Sequence, residues 1–311
     1  MAQLKVAIVG CGRMGRERAR CAHQAGARIS AVYDLDAGRA DALAAQWETR
    51  VLASEDEFVE SGVDAVFLCT PPDTHGPLAL AAIRAGMAFL VEKPVAASRD
   101  AGDRVEAELA RWPVLNAVGY MNRYRASIQL ARRLLSGKNV LGMCGYWVCK
   151  KYTVPWWLNP ASSGGPLNEQ ATHLFDIFRF LVGEIACVES ILSTPSNEDL
   201  SLGAAVSLRF ESGALGTIYY SCEASAKDIG ARIFTSEGSI ALAGWDFQLV
   251  ENSIHGTVPS AQPEDIFAVE TTAFLESVRT GRRDLIASDW LDAMKTQRVI
   301  EAARQCGKVM V

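Results

Sequence analysis

Residues 4–15 read LKVAIVGCGRMG, an apolar run that ends in three closely spaced glycines. This run, followed by a helical pattern over residues 13–26, predicts a buried strand, a tight turn and a helix. In a G-x-G-x-x-G turn the first glycine makes the bend, the second lets the backbone approach a pyrophosphate at the helix N-terminus, and the third lets helix and strand pack closely. The stretch therefore predicts a dinucleotide-binding loop. Its predicted contact residues are Gly10, Gly12, Arg13, Met14 and Gly15.

Asp34 ends the next predicted strand, residues 28–34. A carboxylate at this position accepts hydrogen bonds from the adenosine ribose hydroxyls and repels a 2′-phosphate. Asp34 therefore predicts NAD as the cofactor. Arg39 lies close enough in sequence to keep NADP as an alternative.

Strands and helices alternate through the N-terminal part of the chain. The further predicted strands are residues 28–34, 63–69, 87–92 and 114–118, and the predicted helices between them are residues 36–47, 74–85 and 98–112. Alternation of apolar strands with helices predicts an α/β domain with a doubly wound parallel sheet of the Rossmann type. We assign this dinucleotide-binding domain to residues 1–121.

The pattern changes from residue 122 onward to a helix over residues 124–135 and then mainly to β segments. The predicted strands are residues 140–152, 187–193, 204–211, 215–222, 231–235, 239–243 and 247–251. Several of them meet at ESG or SEG turns, as strands do in hairpins. Two helices near residues 266–279 and 288–305 follow. We predict an α+β domain over residues 122–311, with a large, mostly antiparallel open sheet, for substrate binding and oligomerisation.

Composition excludes several classes of protein. The net charge is −5, whereas nucleic-acid and anionic membrane surfaces require an excess of Lys and Arg. No uncharged apolar run approaches the ~20 residues of a membrane span, and the start of the chain lacks the layout of a signal peptide. None of the eight cysteines forms a Cys-x-x-Cys pair. We therefore expect a reduced, cytoplasmic protein without membrane or nucleic-acid partners.

A second candidate site lies in residues 164–176, GGPLNEQATHLFD. On a helix Glu169 and His173 are four residues apart and share a face, and Asp176 lies near that face. The helix alone leaves three interpretations open: a metal site, a catalytic base with its helpers, and a buried structural network. We predict no metal, because zinc needs a third ligand and no other histidine stands at ligand spacing.

Residues 69–96, CTPPDTHGPLALAAIRAGMAFLVEKPVA, carry a family resemblance. The CTP…H segment, AGM, EKP and the later GYMNRY of residues 119–124 resemble the glucose–fructose oxidoreductase / inositol dehydrogenase / MocA family of nicotinamide enzymes. The resemblance covers nearly the whole chain. It implies hydride transfer between NAD(P) and a secondary alcohol or ketone of a sugar, sugar derivative or cyclitol. It also implies a homodimer or homotetramer that associates through the antiparallel sheet.

Two alternatives stay open within this resemblance. Some relatives cleave glycosidic bonds by oxidising and re-reducing the same sugar on bound NAD. The fold also serves as a non-catalytic, nicotinamide-sensing regulator, although the presence of both Lys93 and His173 argues against that role.

Three residues are predicted to be catalytic. Lys93 follows a predicted strand, at the sheet edge where open α/β sheets bind ligands, and its ammonium can donate to a substrate hydroxyl. The resemblance assigns the base to His173, and imidazole suits proton exchange near neutral pH. Glu169 is expected to hold a substrate hydroxyl or to orient the imidazole, although the family usually has aspartate there. Asp176 is expected to satisfy buried donors or to orient His173.

The resemblance also places the segments around EKP and CTP…H against the cofactor. The implied cofactor contacts are Thr70, Pro71, His75, Glu92 and Lys93. An equal alternative makes His75 part of a helix N-terminus that Asp73 or Thr74 caps. The predicted substrate contacts are Asn122, Arg123, Tyr152, Trp157, Glu169 and His173. Aromatic faces with polar neighbours suit a sugar ring, although tryptophan is as often a core residue.

Overall fold

The computed structural model describes residues 3–195, 200–254 and 264–305. The chain divides into two compact units, Met1–Met121 with Asp265–Met294, and Asn122–Glu264 with Lys295–Val311. The sequence pattern assigns Asp265–Met294 to the second domain, whereas the structure groups this segment with the first unit. Periodicity along the chain shows that residues 266–279 are helical but does not show which core the helix joins.

Strands and helices alternate in the N-terminal part of the first unit. They are β1 (Lys5–Val9), α1 (Arg13–Gln24), β2 (Arg28–Tyr33), α2 (Ala37–Trp47), β3 (Arg50–Val51), β4 (Ala65–Leu68), α3 (Pro72–Arg84), β5 (Ala88–Val91), α4 (Arg99–Arg111) and β6 (Asn116–Val118). The strands are parallel in the order β3-β2-β1-β4-β5-β6. This confirms the predicted doubly wound sheet. The sequence pattern does not predict β3, because its two exposed residues show no apolar periodicity.

The strand order reverses between β1 and β4, and open α/β sheets bind ligands outside the carboxyl ends of strands at such a point. The glycine loop follows β1, residues 69–71 follow β4, and residues 92–94 follow β5. Because these strands are parallel neighbours, all three segments leave the sheet at the same edge. Topology therefore places the predicted cofactor residues of this unit together.

The later elements are α5 (Ala126–Leu135), β7 (Val140–Lys150), α6 (Pro155–Leu158), α7 (Pro160–Ser163), α8 (Thr172–Val182), β8 (Ile185–Ser193), β9 (Gly203–Phe210), β10 (Leu215–Ser221), β11 (Glu223–Thr235), β12 (Gly238–Ala243), β13 (Gln248–Asn252), α9 (Ile266–Thr280) and α10 (Trp290–Gln305). The second sheet has the order β13-β12-β11-β7-β10-β9-β8. Among the described strands of this sheet, β7 and β10 alone pair in parallel. The predicted large, mostly antiparallel sheet is confirmed.

β11 begins at Glu223, eight residues before the predicted start at residue 231. Its first residues, EASAKD, are mostly exposed and lack the alternation of apolar and polar side chains that marks a half-buried strand. This part of the strand pairs with β7 across an irregular register between Glu223 and Asp228. Backbone pairing, which leaves no apolar pattern in the sequence, therefore extends the strand.

Arg18 explains why Asp265–Met294 joins the first unit. Its guanidinium is fully buried, and Nε donates to Glu92 Oε1 at 2.8 Å. On α9, Glu270 Oε2 accepts from Nη2 at 2.5 Å and Thr271 Oγ1 accepts from Nη1 at 3.0 Å. One buried cation thus links α1, the segment after β5, and α9.

We predict that Arg18→Met lowers the free energy of unfolding by about 3–5 kcal/mol, because it leaves two buried carboxylates without their cation. Urea unfolding followed by circular dichroism measures the change. The control is Arg39→Met, which removes an exposed ion pair with Asp36 worth less than ~1 kcal/mol. Equal losses in the two variants would contradict the prediction.

Candidate active site

The glycine loop has the backbone that a dinucleotide requires. Gly10 has a φ of +95°, and a Cβ there would lie 2.6 Å from the backbone of Cys69. A Cβ on Gly15 would lie 1.8 Å from the carbonyl oxygen of Gly10. At Gly12 no described atom lies within 4 Å of the place a Cβ would take. The loop therefore has no room for a side chain at Gly10 and Gly15, where helix and strand pack. It has room at Gly12, where a pyrophosphate approaches the N-terminus of α1.

Asp34 is held beside this loop by two backbone amides. Its Oδ2 accepts from the amide of Cys11 at 2.6 Å, and its Oδ1 accepts from the amide of Asp36 at 2.8 Å. The guanidinium of Arg39 pairs with Asp36 at 3.2 Å. The carboxylate therefore stands at the end of β2, where the fingerprint expects it to bind ribose hydroxyls, and these residues fit NAD.

His75 lies buried between two of the predicted cofactor segments. Its Nε2 is 2.8 Å from the carbonyl oxygen of Thr70, and its Nδ1 is 3.1 Å from that of Pro94. The ring therefore spans from the loop after β4 to the EKP segment after β5. Burial lowers the pKa of His75, although both carbonyls and the Glu92 carboxylate oppose that shift. Its buried position suits a role in which it holds the two loops in place.

Lys93 stands half-buried at the carboxyl end of β5. The preceding Glu92 is buried and accepts from Arg18, and the following bond, Lys93–Pro94, is cis. The EKP segment is therefore anchored on one side by the Arg18 ion pair and on the other by His75. Sequence reasoning missed Arg18, because an arginine on a helix gives no signal of burial.

The stretch GGPLNEQATHLFD is helical, but its first turn differs from the prediction. Leu167–Ala171 forms a π-helical turn that leads into α8. Wider turns of this kind are rare and occur frequently at functional sites. The spacing of a regular α-helix therefore does not apply between Glu169, inside the π turn, and His173, on α8.

Aromatic rings and an amide enclose His173. Its ring stacks on Trp147, with centroids 5.3 Å apart and planes 18° apart, and Trp245 meets it edge-on at 6.3 Å. The Nδ2 atom of Asn122 lies 3.4 Å from His173 Nδ1. Sequence reasoning missed both tryptophans, because a tryptophan on a strand, such as Trp147, is more often an ordinary core residue, and Trp245 lies in the turn between β12 and β13, where no motif marks it.

Glu169 reaches a second aromatic pair. Its Oε2 accepts from the indole Nε1 of Trp157 at 2.9 Å. The fully buried Trp157 meets Tyr152 edge-on at 5.6 Å, and Tyr152 is 43% exposed. The structure thus brings together three of the predicted substrate contacts, and the indole engages the carboxylate of the glutamate that replaces the family's aspartate.

Asp176 and Arg123 form a buried ion pair. The Arg123 Nη2 atom donates to Asp176 Oδ1 at 2.7 Å and its Nε donates to Oδ2 at 3.0 Å. The guanidinium also lies 5.1 Å from the ring centroid of Phe180. Asp176 therefore satisfies buried donors, one of the two roles expected for it. Arg123, predicted to contact a substrate, is engaged in this pair.

A further polar cluster supports the π turn from the sheet. Gln170 Oε1 accepts from the Tyr220 hydroxyl at 2.5 Å and from the Cys149 thiol at 3.1 Å. Burial raises the pKa of Cys149 to about 11, so the thiol stays protonated and unreactive at neutral pH. The cluster anchors the residue next to Glu169. The sequence carries no signal for it, because its members come from three distant segments.

The absence of a metal ion stays a prediction. Among the described residues, Glu17, Cys21 and Asp265 offer ligand atoms within 4.8 Å of one another. The guanidinium of Arg20 donates to both of these carboxylates, so a cation already offsets part of their charge. In the part of the chain that the structure describes, every helix falls short of the length and apolarity needed to cross a membrane.

Two family models match the chain in succession. Residues 4–120 match an oxidoreductase family with an NAD-binding Rossmann fold, and residues 139–241 match the GFO/IDH/MocA C-terminal domain. The chain belongs to the GFO/IDH/MocA family. It is an NAD-binding oxidoreductase, which confirms the resemblance carried by residues 69–96 and the cofactor predicted from Asp34.

Individual relatives match this GFO/IDH/MocA protein over most of its length. A scyllo-inositol 2-dehydrogenase (NAD(+)) of Bacillus subtilis (strain 168) is 29% identical over 307 residues, 91% of this chain and 89% of its own. Inositol 2-dehydrogenase 4 of Saccharopolyspora erythraea is 34% identical over 230 residues, 70% of this chain and 66% of its own. The crystal structure of the WlbA dehydrogenase from Bordetella pertussis with NADH and UDP-GlcNAcA matches with a TM-score of 0.87 at 20% identity, over 98% of this chain and 96% of its own. That last likeness shows the fold alone.

We predict that His75 makes the fold sensitive to acid. Because burial lowers its pKa below the ordinary ~6.5, the unfolded chain binds a proton under mildly acidic conditions that the folded chain does not. The free energy of unfolding should therefore fall as the pH drops below ~6.5, by at most about 1.4 kcal/mol per pH unit from this group. Urea unfolding of wild type and His75→Gln at about pH 7.5 and about pH 5.5 measures the contribution.

The variant His75→Gln should lose that part of the pH dependence. The matched control is His23→Gln, which replaces an exposed histidine on α1. If His75→Gln retained the full pH dependence of wild type, the buried histidine would not be its source.

Proposed function

We propose that this protein is an NAD-dependent dehydrogenase that transfers a hydride between nicotinamide and a secondary alcohol or ketone of a cyclitol or related sugar. The single observation that carries the proposal is the set of aromatic rings and polar groups that surrounds His173 and Glu169. Stacked and edge-on indoles with nearby polar groups suit a ring that offers C–H faces and hydroxyl edges. The two inositol dehydrogenases among the relatives support a cyclitol.

The reaction defines what the residues must do. Oxidation of a carbinol removes a hydride from carbon and a proton from oxygen, so the reacting oxygen needs groups that stabilise its charge and exchange its proton. The bound nicotinamide supplies the hydride acceptor. We propose that Lys93 and His173 act on the reacting oxygen, and that Glu169 holds a neighbouring hydroxyl.

Turnover provides the first test. Inositols, sugars, sugar acids and amino sugars incubated with NAD should include at least one polyol that yields free NADH. Substrate cleavage without accumulation of NADH would instead indicate the transient-oxidation chemistry of glycoside-cleaving relatives. Tight NAD binding without turnover on any polyol would overturn the dehydrogenase and favour a regulator.

We predict that Lys93→Met and His173→Ala each lower kcat by ~100-fold or more, in line with the usual contribution of a group that donates to or exchanges protons with the reacting atom. NAD affinity, measured by calorimetry, should change far less in His173→Ala, because that residue lies outside the cofactor fingerprint. Lys150→Met, which replaces an exposed lysine on β7, is the control. Near-normal kcat in either active-site variant would sink the assignment of that residue.

We further propose that the chain forms a homodimer or homotetramer through the outer face of the second sheet. Side chains alternate between the two faces along β7 and β10, so that Trp147 and Tyr220 are buried in the core. Tyr146 and Tyr219 are exposed on the other face and are register partners. The exposed apolar side chains of this sheet include Leu141, Tyr146, Ile191, Leu215, Tyr219 and Phe234. An apolar face of this extent is typical of an association surface.

We predict that Tyr219→Glu shifts the protein toward monomer, because it places a charge in the middle of this apolar face. Sedimentation velocity measures the distribution of species. Trp112→Glu alters an exposed aromatic residue after α4, away from this sheet, and serves as the control. A Tyr219→Glu variant with the same assembly as wild type would rule out this face.

A further inference from the structure

The strand β11 contains a bulge where it runs beside β7. The register pairs on either side of the bulge are Glu223 with Lys150 and Asp228 with Val148. Residues 224–227 of β11 therefore stand opposite the single residue Cys149 of β7. Bulges bend a strand, re-aim its side chains and occur often next to active sites. Lys227 is the last residue of this bulge, and its side chain is exposed.

The bulge lies beside the face of β7 that carries the proposed active site. Side chains alternate along a strand, so Trp147 and Cys149 point to the same face. Trp147 stacks on His173, and the Cys149 thiol donates to Gln170 of the π turn at 3.1 Å. The residues of the bulge therefore neighbour the segment that carries both Glu169 and His173.

The ammonium of Lys227 turns toward this segment. Its Nζ lies 4.4 Å from the ring centroid of Trp245, which meets His173 edge-on with centroids 6.3 Å apart. Burial raises the pKa of Cys149 to about 11, and the charge of Lys227 opposes that shift. Two separate observations thus place the ammonium near the indole on one side and near the thiol on the other.

Backbone contacts fix the turn that carries Trp245. Gly244, in the same turn between β12 and β13, donates its amide to the carbonyl oxygen of Ile229 on β11 at 2.8 Å. The carbonyl oxygen of Trp245 accepts from Arg125 Nη2 at 3.3 Å. The turn is therefore anchored to β11 just after the bulge, which keeps the indole next to Lys227.

The charge of Lys227 is not balanced by a neighbouring acid. In residues 3–195, 200–254 and 264–305, no carboxylate forms an ion pair with this ammonium. The acids of the adjoining segments have other contacts: Glu169 accepts from Trp157, Asp246 accepts from Gln248, and Asp228, together with burial, raises the pKa of Tyr146 on the outer face. The ammonium is therefore able to pair with an anion from another molecule.

Gln170 provides a second donor beside the same thiol. The residue is 3% exposed, and its Oε1 accepts from both Tyr220 and Cys149. Its Nε2 has no acceptor among the residues that the structure describes. Buried amide groups are hydrogen-bonded in the great majority of folded proteins, so this NH₂ group needs an acceptor from outside these residues.

We propose that the β11 bulge forms a carboxylate-binding subsite in which Lys227 supplies the charge, and that the substrate is a sugar or cyclitol ring that bears a carboxylate. The inference deepens the proposed function and rests on it. One ammonium balances one carboxylate, the amide of Gln170 supplies a further donor, and the indole of Trp245 suits the C–H face of the ring. A phosphate ester, with a charge near about −2, would be only half balanced. All of these residues belong to the second unit.

Matched pairs of sugars test this substrate class. D-glucuronate and D-glucose differ in whether the last carbon is a carboxylate or a CH₂OH group, and D-galacturonate and D-galactose differ in the same way. With NAD, the acid of at least one pair should have a kcat/KM about tenfold or more above that of its neutral partner, the effect of one charge-assisted hydrogen bond. Equal values in both pairs, a preference for the neutral sugars, or a preference for glucose 6-phosphate would overturn the proposal.

Substitutions at Lys227 test the residue itself. Lys227→Met removes the ammonium, so the ratio of kcat/KM between acid and neutral sugar should fall by about tenfold or more. Lys227→Arg keeps the charge and should hold that ratio within about threefold of wild type. The matched control is Lys150→Met, an exposed lysine on β7 whose side chain alternates to the face opposite Cys149. Equal effects of Lys227→Met and Lys150→Met would show that the charge of the whole surface, and not this subsite, selects the acid.

A ligand-observed NMR titration of the NADH-bound protein examines the subsite without turnover. D-glucuronate should bind about tenfold or more tightly than D-glucose, and Lys227→Met should abolish the difference. Equal affinities in wild type, or a difference that persists in Lys227→Met, would overturn the inference. If the polyol screen yields no NADH, the proposed function fails, whereas this titration still decides whether Lys227 binds a carboxylate.

Discussion

The buried ion group around Arg18 is the interaction on which the first unit depends. A cation on α1 meets one carboxylate next to Lys93 and another on α9, a helix that is remote in sequence. Burying these charges is costly unless each has its partners, so the three segments hold one another in a single arrangement. Because α1 also begins at the glycine loop, the same group ties the pyrophosphate-binding end of the cofactor site to the EKP segment. His75 adds a second connection, from that segment to the loop after β4.

The second unit positions its histidine differently, with aromatic faces and a directed chain of hydrogen bonds. Trp147 stacks on the His173 ring and Trp245 meets it edge-on, while Asn122, which accepts from Arg125, lies 3.4 Å from its Nδ1. Glu169 lies in the π turn before α8 and accepts a hydrogen bond from Trp157. The carboxylate and the imidazole are therefore held by separate partners.

The positions that the sequence could predict are those that follow from local geometry. The backbone has no room for a Cβ at Gly10 and Gly15, so both positions require glycine. The G-x-G-x-x-G spacing shows this requirement in the sequence. The position of Lys93 at a strand end follows from the alternation of strands and helices. By contrast, Arg18, Asn122 and Trp245 gained their roles from partners far away in the chain. Nothing in the residues around them distinguishes them from an exposed arginine, a loop asparagine or a core tryptophan.

The sequence by itself determined the two sheets, the cofactor loop, the NAD preference of Asp34 and the family. All of these depend on short-range periodicity and on motifs whose spacing reflects backbone geometry. Tertiary structure alone decided that Asp265–Met294 joins the first unit, that Leu167–Ala171 opens into a π turn, and that Asn122 faces a histidine. The physical reason is that a buried charge or amide pairs with a group that the folded chain brings near. The residues beside it in sequence do not indicate which group that is.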